Sequence, residues 1–303
     1  MKSKVVVTGG AGFIGSHIVD SLLASGSRVV IVDDFSTGNR GNLQFDADIV
    51  QLDIANPSTA EVIVGLAPDA IVHAAAQASV PRSMSDPGRD MAVNLQGTAN
   101  LIEGAKRLPD CRFVFLSTGG GIYGDTVDAA TEQTLPKPKS FYSTHKYTAE
   151  RYLEYSGLNY AIARLANVYG SRQRSNLEGG VVAIFAERLR AGLPISIYGS
   201  GEQTRDFVHV FDVVRAIQLM LESERSGLWN VGTGQKTTIR GLLALMADLM
   251  QVEPDVHFAP GRAGDVFNSC LDSSAIAREL GWKPIISLAE GVGMIEELNL
   301  ITT

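Results

Sequence analysis

Short apolar runs rich in β-branched residues alternate with longer amphipathic stretches through the first half of the chain. The runs are Lys4 to Thr8, Arg28 to Val32, Ile49 to Leu52, Ala70 to His73, Arg112 to Ser117 and Tyr160 to Leu165. Between them, apolar positions recur at helical spacing near residues 13–25, 58–66, 88–107 and 143–156. Continuous apolar runs of this length suit strands covered on both faces. The βαβα order therefore predicts an α/β fold, a Rossmann-type doubly wound parallel sheet. Beyond residue 167 the alternation loosens into polar, Gly-containing segments with helices predicted at 181–191, 209–222, 238–250, 272–280 and 287–298. One further strand, Gly227 to Val231, is expected to return to the sheet. The expected division is a sheet domain of residues 1–167 plus about 208–233, and a smaller α/β lobe of 168–207 and 234–303.

Composition narrows the class. With 303 residues, 45% of them hydrophobic, the chain can bury a large core, which excludes a disordered or fibrous protein. Its 33 acidic and 26 basic side chains leave a net charge of −7. That argues against nucleic-acid or membrane-surface binding, both of which need a cationic face. Any anionic ligand must be held by a few local arginines. Cys111 and Cys270 cannot build a disulfide framework and nothing near them has metal-ligand spacing, so thiols in a reducing cytoplasm and no metal are expected. The chain opens without a signal-peptide hydrophobic segment and has no apolar run near the ~18 residues of a membrane span, so a soluble cytoplasmic protein is expected.

Some of the 31 glycines carry chemistry. Gly9, Gly12 and Gly15 follow the first strand and, with Phe13 and Ile14, open the first helix. Residues without Cβ there let backbone N–H groups reach a pyrophosphate at the helix N-terminus. Asp33 ends the second strand 18 positions after Gly15, where a carboxylate can accept both adenosine ribose hydroxyls and repel a 2′-phosphate. This favours NAD+ over NADP; the alternative is a structural turn with an exposed Asp. Asp53, after the third strand, is a candidate partner for the adenine amino group.

Tyr142 and Lys146 stand one helical turn apart in Tyr142-Ser143-Thr144-His145-Lys146. A phenol with pKa near ~10 is a poor base at neutral pH, but a neighbouring ammonium favours the phenolate. Tyr142 would then suit removal of an alcohol proton as hydride leaves the same carbon. Ser117 and Thr118, at the end of the fifth strand, supply assisting hydroxyls.

Together with these residues, His73 to Ala76, Asn94, Arg164 to Gly170, Thr204 to Val210, Asn230 to Gly232 and Gly261 to Asp265 resemble the extended short-chain dehydrogenase/reductase family. Within its NAD-dependent epimerase/dehydratase branch, the chain is most similar to nucleotide-sugar 4-epimerases of the UDP-glucose 4-epimerase type, over essentially its whole length. The resemblance implies a tightly held NAD+, a UDP-hexose in a cleft between lobes, and a homodimer built through two helices of the first domain. It implies further cofactor contacts from Asp34, Ser36, Gly38, Ile54, Ala74, Ala75, Ala76 and Asn94, besides Ser117, Tyr142 and Lys146. Nucleotide-sugar contacts would come from Thr118, Tyr142, Asn167, Arg174, Val181, Tyr198, Arg205, Arg262, Asp265 and Ser269. For Arg205 and Arg262 the plain alternative is a surface ion pair with Asp206 and Asp265.

Related dehydratases and decarboxylases carry an acid just before the tyrosine-glycine after strand five, where this chain has Gly120 and Gly121 ahead of Tyr123-Gly124. With no acid to expel a C6 hydroxyl, inversion at C4 through a transient 4-keto sugar is the expected reaction. The hydroxyl that assists the tyrosine in similar epimerases falls on Gly119, so the role is assigned to Thr118, with Ser117 second. Ser269 stands where a tyrosine would exclude an N-acetyl group, which leaves N-acetylhexosamines open. Arg174 matches a carboxylate-binding arginine of UDP-glucuronate 4-epimerases, although those usually have threonine at the place of Asn167. A neutral hexose is preferred, with a uronate as the alternative. A 4-keto-sugar reductase and a non-catalytic NAD-binding sensor are the remaining readings.

Overall fold

The computed structural model describes residues 3–44, 47–175, 180–261 and 265–300, with side chains to residue 295. The first half runs β1 (Lys4–Thr8), α1 (Phe13–Ala24), β2 (Arg28–Asp33), β3 (Asp48–Gln51), α2 (Thr59–Leu66), β4 (Ala70–His73), α3 (Val80–Ser85), α4 (Pro87–Met91), a π-helical turn (Ala92–Gly97) and α5 (Thr98–Ala105). There follow β5 (Arg112–Thr118), the short α6 (Gly119–Ile122), α7 (Phe141–Glu154), β6 (Asn159–Leu165), β7 (Asn167–Tyr169) and α8 (Val181–Arg190). The remainder is β8 (Ile195–Tyr198), β9 (Thr204–Arg205), β10 (Phe207–His209), α9 (Val210–Glu222), β11 (Gly227–Val231), β12 (Thr237–Thr238), α10 (Ile239–Met250), β13 (Val256–Ala259), α11 (Ser274–Leu280) and α12 (Leu288–Leu300).

The apolar runs form one seven-stranded sheet in the order β11-β6-β5-β4-β1-β2-β3. β1 pairs in parallel with β2 and β4, β2 with β3, and β4 with β5. The order reverses at β1, so the carboxyl ends of β1 and β4 face the crevice where ligands of such sheets bind. Val6, Ile71, Phe113, Phe115 and Ile162 are completely buried with Ile63, Leu101 and Leu153 of the covering helices.

The helix predicted at 88–107 runs from Pro87 to Ala105 with a π-helical turn inside it. Asp86 caps α4 by accepting from Arg89 N, Pro87 occupies its first turn, and the chain then widens into the π-helical turn before α5. π-turns inside α-helices are frequent at functional sites, and Asn94 lies in this one.

The chain divides into two compact units: Met1–Thr118, Ser140–Arg164 and Val214–Trp229 form the first, and Gly119–Lys139, Leu165–Val213 and Asn230–Thr303 the second. Gly119–Lys139, placed by strand-helix alternation in the sheet domain, groups instead with the second unit. That unit is built from three small strand pairs, β7 with β10, β8 with β13 and β9 with β12, around a core that includes Phe185, Ile195, Phe207, Leu242 and Met246. No helix among the described residues is long and apolar enough to cross a membrane.

Candidate active site

The turn after β1 is shaped by glycine. Gly9 has φ 68°, and a Cβ there would lie 2.6 Å from the backbone nitrogen of Ala75. A Cβ on Gly15 would collide with the Gly9 carbonyl. No side chain caps the N-terminus of α1 and no acid stands in its first turn, which leaves that positive helix end suited to an anion. The buried Asp33 carboxylate accepts from Ala11 N at 2.9 Å and Phe35 N at 2.8 Å. Burial raises its pKa, against the pull of those two hydrogen bonds. Gly38 closes in on it, since a Cβ there would be 2.6 Å from Oδ1. The cradle and its oriented carboxylate fit a dinucleotide.

Next to Asp33, Asp34 Oδ1 accepts from Ser36 N and Oγ. Asp53 Oδ1 accepts from Ala55 N at 2.9 Å, while Oδ2 pairs with Arg89 Nη1 at 2.8 Å. Arg89 also lies 3.6 Å from Asp34, so one guanidinium bridges the ends of two strands. Sequence reasoning missed Arg89, because nothing local links residues this far apart. Ile54 is buried under the π-turn, where a Cβ on Gly97 would meet it at 2.7 Å.

The loop after β4 carries Ala74, Ala75 and Ala76. Ala74 N donates to the Thr8 carbonyl and Ala75 N to Thr8 Oγ1. His73 is fully buried between Thr8 and Thr98 hydroxyls and stacks on Phe115; burial, with Lys146 nearby, holds its pKa well below the usual imidazole value. Asn94 donates to the Gln77 carbonyl and to Asp90, and accepts from Gln77 N. Its amide thus orders the loop.

Helix α7 starts at Ser140, whose hydroxyl accepts from Ser143 N. Tyr142, Lys146 and Glu150 follow at successive turns. Lys146 is fully buried: Nζ donates to the Leu116 carbonyl at 2.7 Å and sits 4.0 Å from the Phe115 ring centroid. Burial pulls its pKa down to about 7, while the charges of Glu150 and Asp90 push the other way. Glu150, with no exposure, accepts from Arg164 Nε and Nη2 and from Ser117 Oγ at 2.6 Å. The Ser117 hydroxyl is thereby committed to Glu150, whereas Thr118, the last residue of β5, is only partly buried.

In the second unit, a Cβ on Gly119 would lie 2.6 Å from Leu271 Cδ1, so even a serine would not fit there without moving a buried leucine. A Cβ on Gly120 would stand 3.3 Å from Ser269 Oγ and 3.5 Å from Asn167 Oδ1, which brings these three positions together. Arg205 Nη1 donates to the carbonyls of Thr204 and Phe267. Burial lowers its pKa, with Asp265 and Asp125 opposing. The Arg205–Asp206 ion pair considered from sequence does not form: Asp206 is buried and accepts from Thr233, Gly234 and Leu271. Val181 packs at the edge of the second core, Tyr198 ends β8, and Arg174 and Asp265 are exposed. Arg262 lies outside the described residues. Both cysteines are buried free thiols, and the described residues hold no cluster of metal-binding side chains.

Residues 5–232 match the NAD dependent epimerase/dehydratase family. A UDP-glucose 4-epimerase of Mycolicibacterium smegmatis is 39% identical over 305 residues, 97% of each chain. The crystal structure of a Thermotoga maritima UDP-glucose 4-epimerase with UDP-glucose superimposes with a TM-score of 0.95, at 41% identity and 99% coverage of both chains. UDP-glucuronic acid decarboxylase 1 of Arabidopsis thaliana is 33% identical over 95% of this chain and 68% of its own. The chain belongs to the NAD dependent epimerase/dehydratase family.

Proposed function

We propose that this member of the family is a nucleotide-sugar 4-epimerase that inverts C4 of a UDP-hexose, with UDP-glucose and UDP-galactose as its first substrates. The observation that carries the reading is the pairing of a tyrosine-lysine base on α7 with three glycines at 119–121, where an eliminating enzyme needs an acid. Tyr142 takes the proton of the sugar 4-hydroxyl, and Thr118 donates a hydrogen bond to the oxygen as its charge builds. The Lys146 ammonium, anchored on the Leu116 carbonyl, favours the phenolate. When bound, NAD+ supplies the acceptor and later the donor of the C4 hydride. Gly9, Gly12, Gly15 and Asp33 would hold it. After the 4-keto sugar turns its other face, Tyr142 returns the proton.

Arg205 is the described candidate for the diphosphate, because a guanidinium fork matches phosphate oxygens. Ser269 beside Gly120 leaves room for an N-acetyl group. A uronate is the second reading, favoured by Arg174 alone. We read the exposed Met84 on α3, Met91 on α4, and Phe141 and Tyr152 on α7 as part of a homodimer face, since large apolar side chains left in water mark association sites where they gather. Tyr152→Lys would then yield monomers in sedimentation. The function is tested by incubating the purified protein with UDP-glucose, UDP-galactose, their N-acetyl forms and UDP-glucuronate, with C4 stereochemistry as the readout. If all are returned unchanged, the reading is wrong. A selective loss on UDP-glucuronate in Arg174→Ala would move the preference to the uronate.

A further inference from the structure

Asp90, on α4, is fully buried and lies at the meeting point of three elements that the proposed chemistry uses. Its Oδ1 accepts from Gln77 Nε2 at 2.7 Å and from Asn94 Nδ2 at 3.0 Å. Its Oδ2 lies 2.6 Å from His145 Nδ1. Gln77 belongs to the loop that carries Ala74 to Ala76, Asn94 to the π-helical turn, and His145 to α7, within the turn that separates Tyr142 from Lys146. Gln77 is fixed in turn by backbone bonds to and from Asn94 and by reciprocal bonds with Ser79. An ionised Asp90 accepts at both oxygens, so the imidazole donates from Nδ1. The His145 ring also stacks on Phe141, one turn earlier on the helix.

We propose that Asp90 is a positioning residue of the reaction site, which through His145 sets the Tyr142–Lys146 turn against the cofactor-facing loop and π-turn. The proposal rests on the 4-epimerase reading for its kinetic arm. Misplacement of reacting groups by ~1 Å can cost about 10²-fold in rate, and a buried carboxylate with three donors on three elements is a rigid way to prevent it. The same charge supports Lys146 as ammonium. Lys146 feels the charges of Asp90 from α4 and Glu150 from its own helix and acts on His73 of β4, while Arg164 of β6 pairs with Glu150; Tyr142 stands one turn before it on α7.

Two substitutions separate charge from geometry. Asp90→Asn keeps the shape and removes the charge, and His145→Asn keeps a donor as far from Cβ as Nδ1, which His145→Ala lacks. In NAD-loaded protein, Asp90→Asn should lower the midpoint of the Lys146 titration, read by NMR of carbon-labelled lysine, a measurement independent of any activity. With the preferred UDP-hexose, Asp90→Asn and His145→Ala should lower kcat about tenfold while KM stays within about twofold, and His145→Asn should restore most of kcat. An unchanged Lys146 midpoint and unchanged kcat in Asp90→Asn would overturn the proposal. So would a parallel loss in His145→Asn and His145→Ala. Should Asp90→Asn not fold, the two His145 variants decide. If wild-type protein epimerises no UDP-sugar, the function reading fails, and the Lys146 titration still tests the role of Asp90.

Discussion

Ser117 donates its hydroxyl to the buried carboxylate of Glu150 at 2.6 Å, across 33 residues of sequence. Two adjacent hydroxyls at the end of β5 thus have different work. Ser117 helps to satisfy a buried charge, and under the proposed function Thr118 is the hydroxyl assigned to assist Tyr142. Thr118→Ala is expected to lower kcat about tenfold or more. Ser117→Ala should keep most of kcat and lose about 1–3 kcal/mol of stability, because Glu150 loses a donor. Steady-state kinetics and thermal melts on both variants check this, and a collapse of turnover in Ser117→Ala alone would reverse the assignment.

Glu150 and Arg164 form a buried pair whose members depend on each other. Arg164→Met leaves a buried carboxylate uncompensated and should cost about 3–5 kcal/mol, whereas the double variant Glu150→Leu/Arg164→Met should recover much of it. Denaturant unfolding of the single and double variants measures the difference.

Gly119 faces Leu271. Gly119→Ser introduces a Cβ into a space filled by the leucine methyls and should destabilise by about 1–3 kcal/mol through overpacking. Leu271→Ala in the same chain should relieve part of that loss, which a double-mutant cycle reads directly.

Lys146 costs stability in proportion to its charge. Its pKa is depressed to about 7 by burial, so the unfolded state binds more protons between that value and the ordinary lysine range near ~10.4, and stability rises with pH across this window. Lys146→Met should therefore abolish turnover yet stabilise the fold by about 4 kcal/mol at and below neutral pH. The gain should shrink toward alkaline pH. Melting curves at about pH 6 and about pH 9, at matched cofactor occupancy, would show it; a gain that grew with pH would contradict the burial of a charged lysine.

Much of the site was legible in the chain because its signals are local. The glycine turn needs only strand, turn and helix in sequence, and Tyr142 and Lys146 share a face because helices repeat every 3.6 residues; Glu150, one turn further on, was not singled out, since its partners Ser117 and Arg164 come from strands β5 and β6. The strands emerged from apolar runs whose ends the structure shifts by a residue or less. The small pairs β7 with β10, β8 with β13 and β9 with β12 escaped notice, since segments of two to four residues carry almost no periodicity.

Partner choice between distant residues is a different matter. Asp90 meets His145 across 55 residues and Arg112 meets Met220 across 108, and no spacing rule links either pair. Asn94 reads as a cofactor contact in sequence, but its amide is taken up by Gln77 and Asp90, and the helix around it widens into a π-turn. The sequence by itself determined the strands, the glycine turn and the Tyr142–Lys146 spacing on one helix, because each is set by neighbours a few positions away. Only the tertiary structure decided which buried charges meet, because sheet order sets those encounters and the cost of an unpaired buried charge then enforces them.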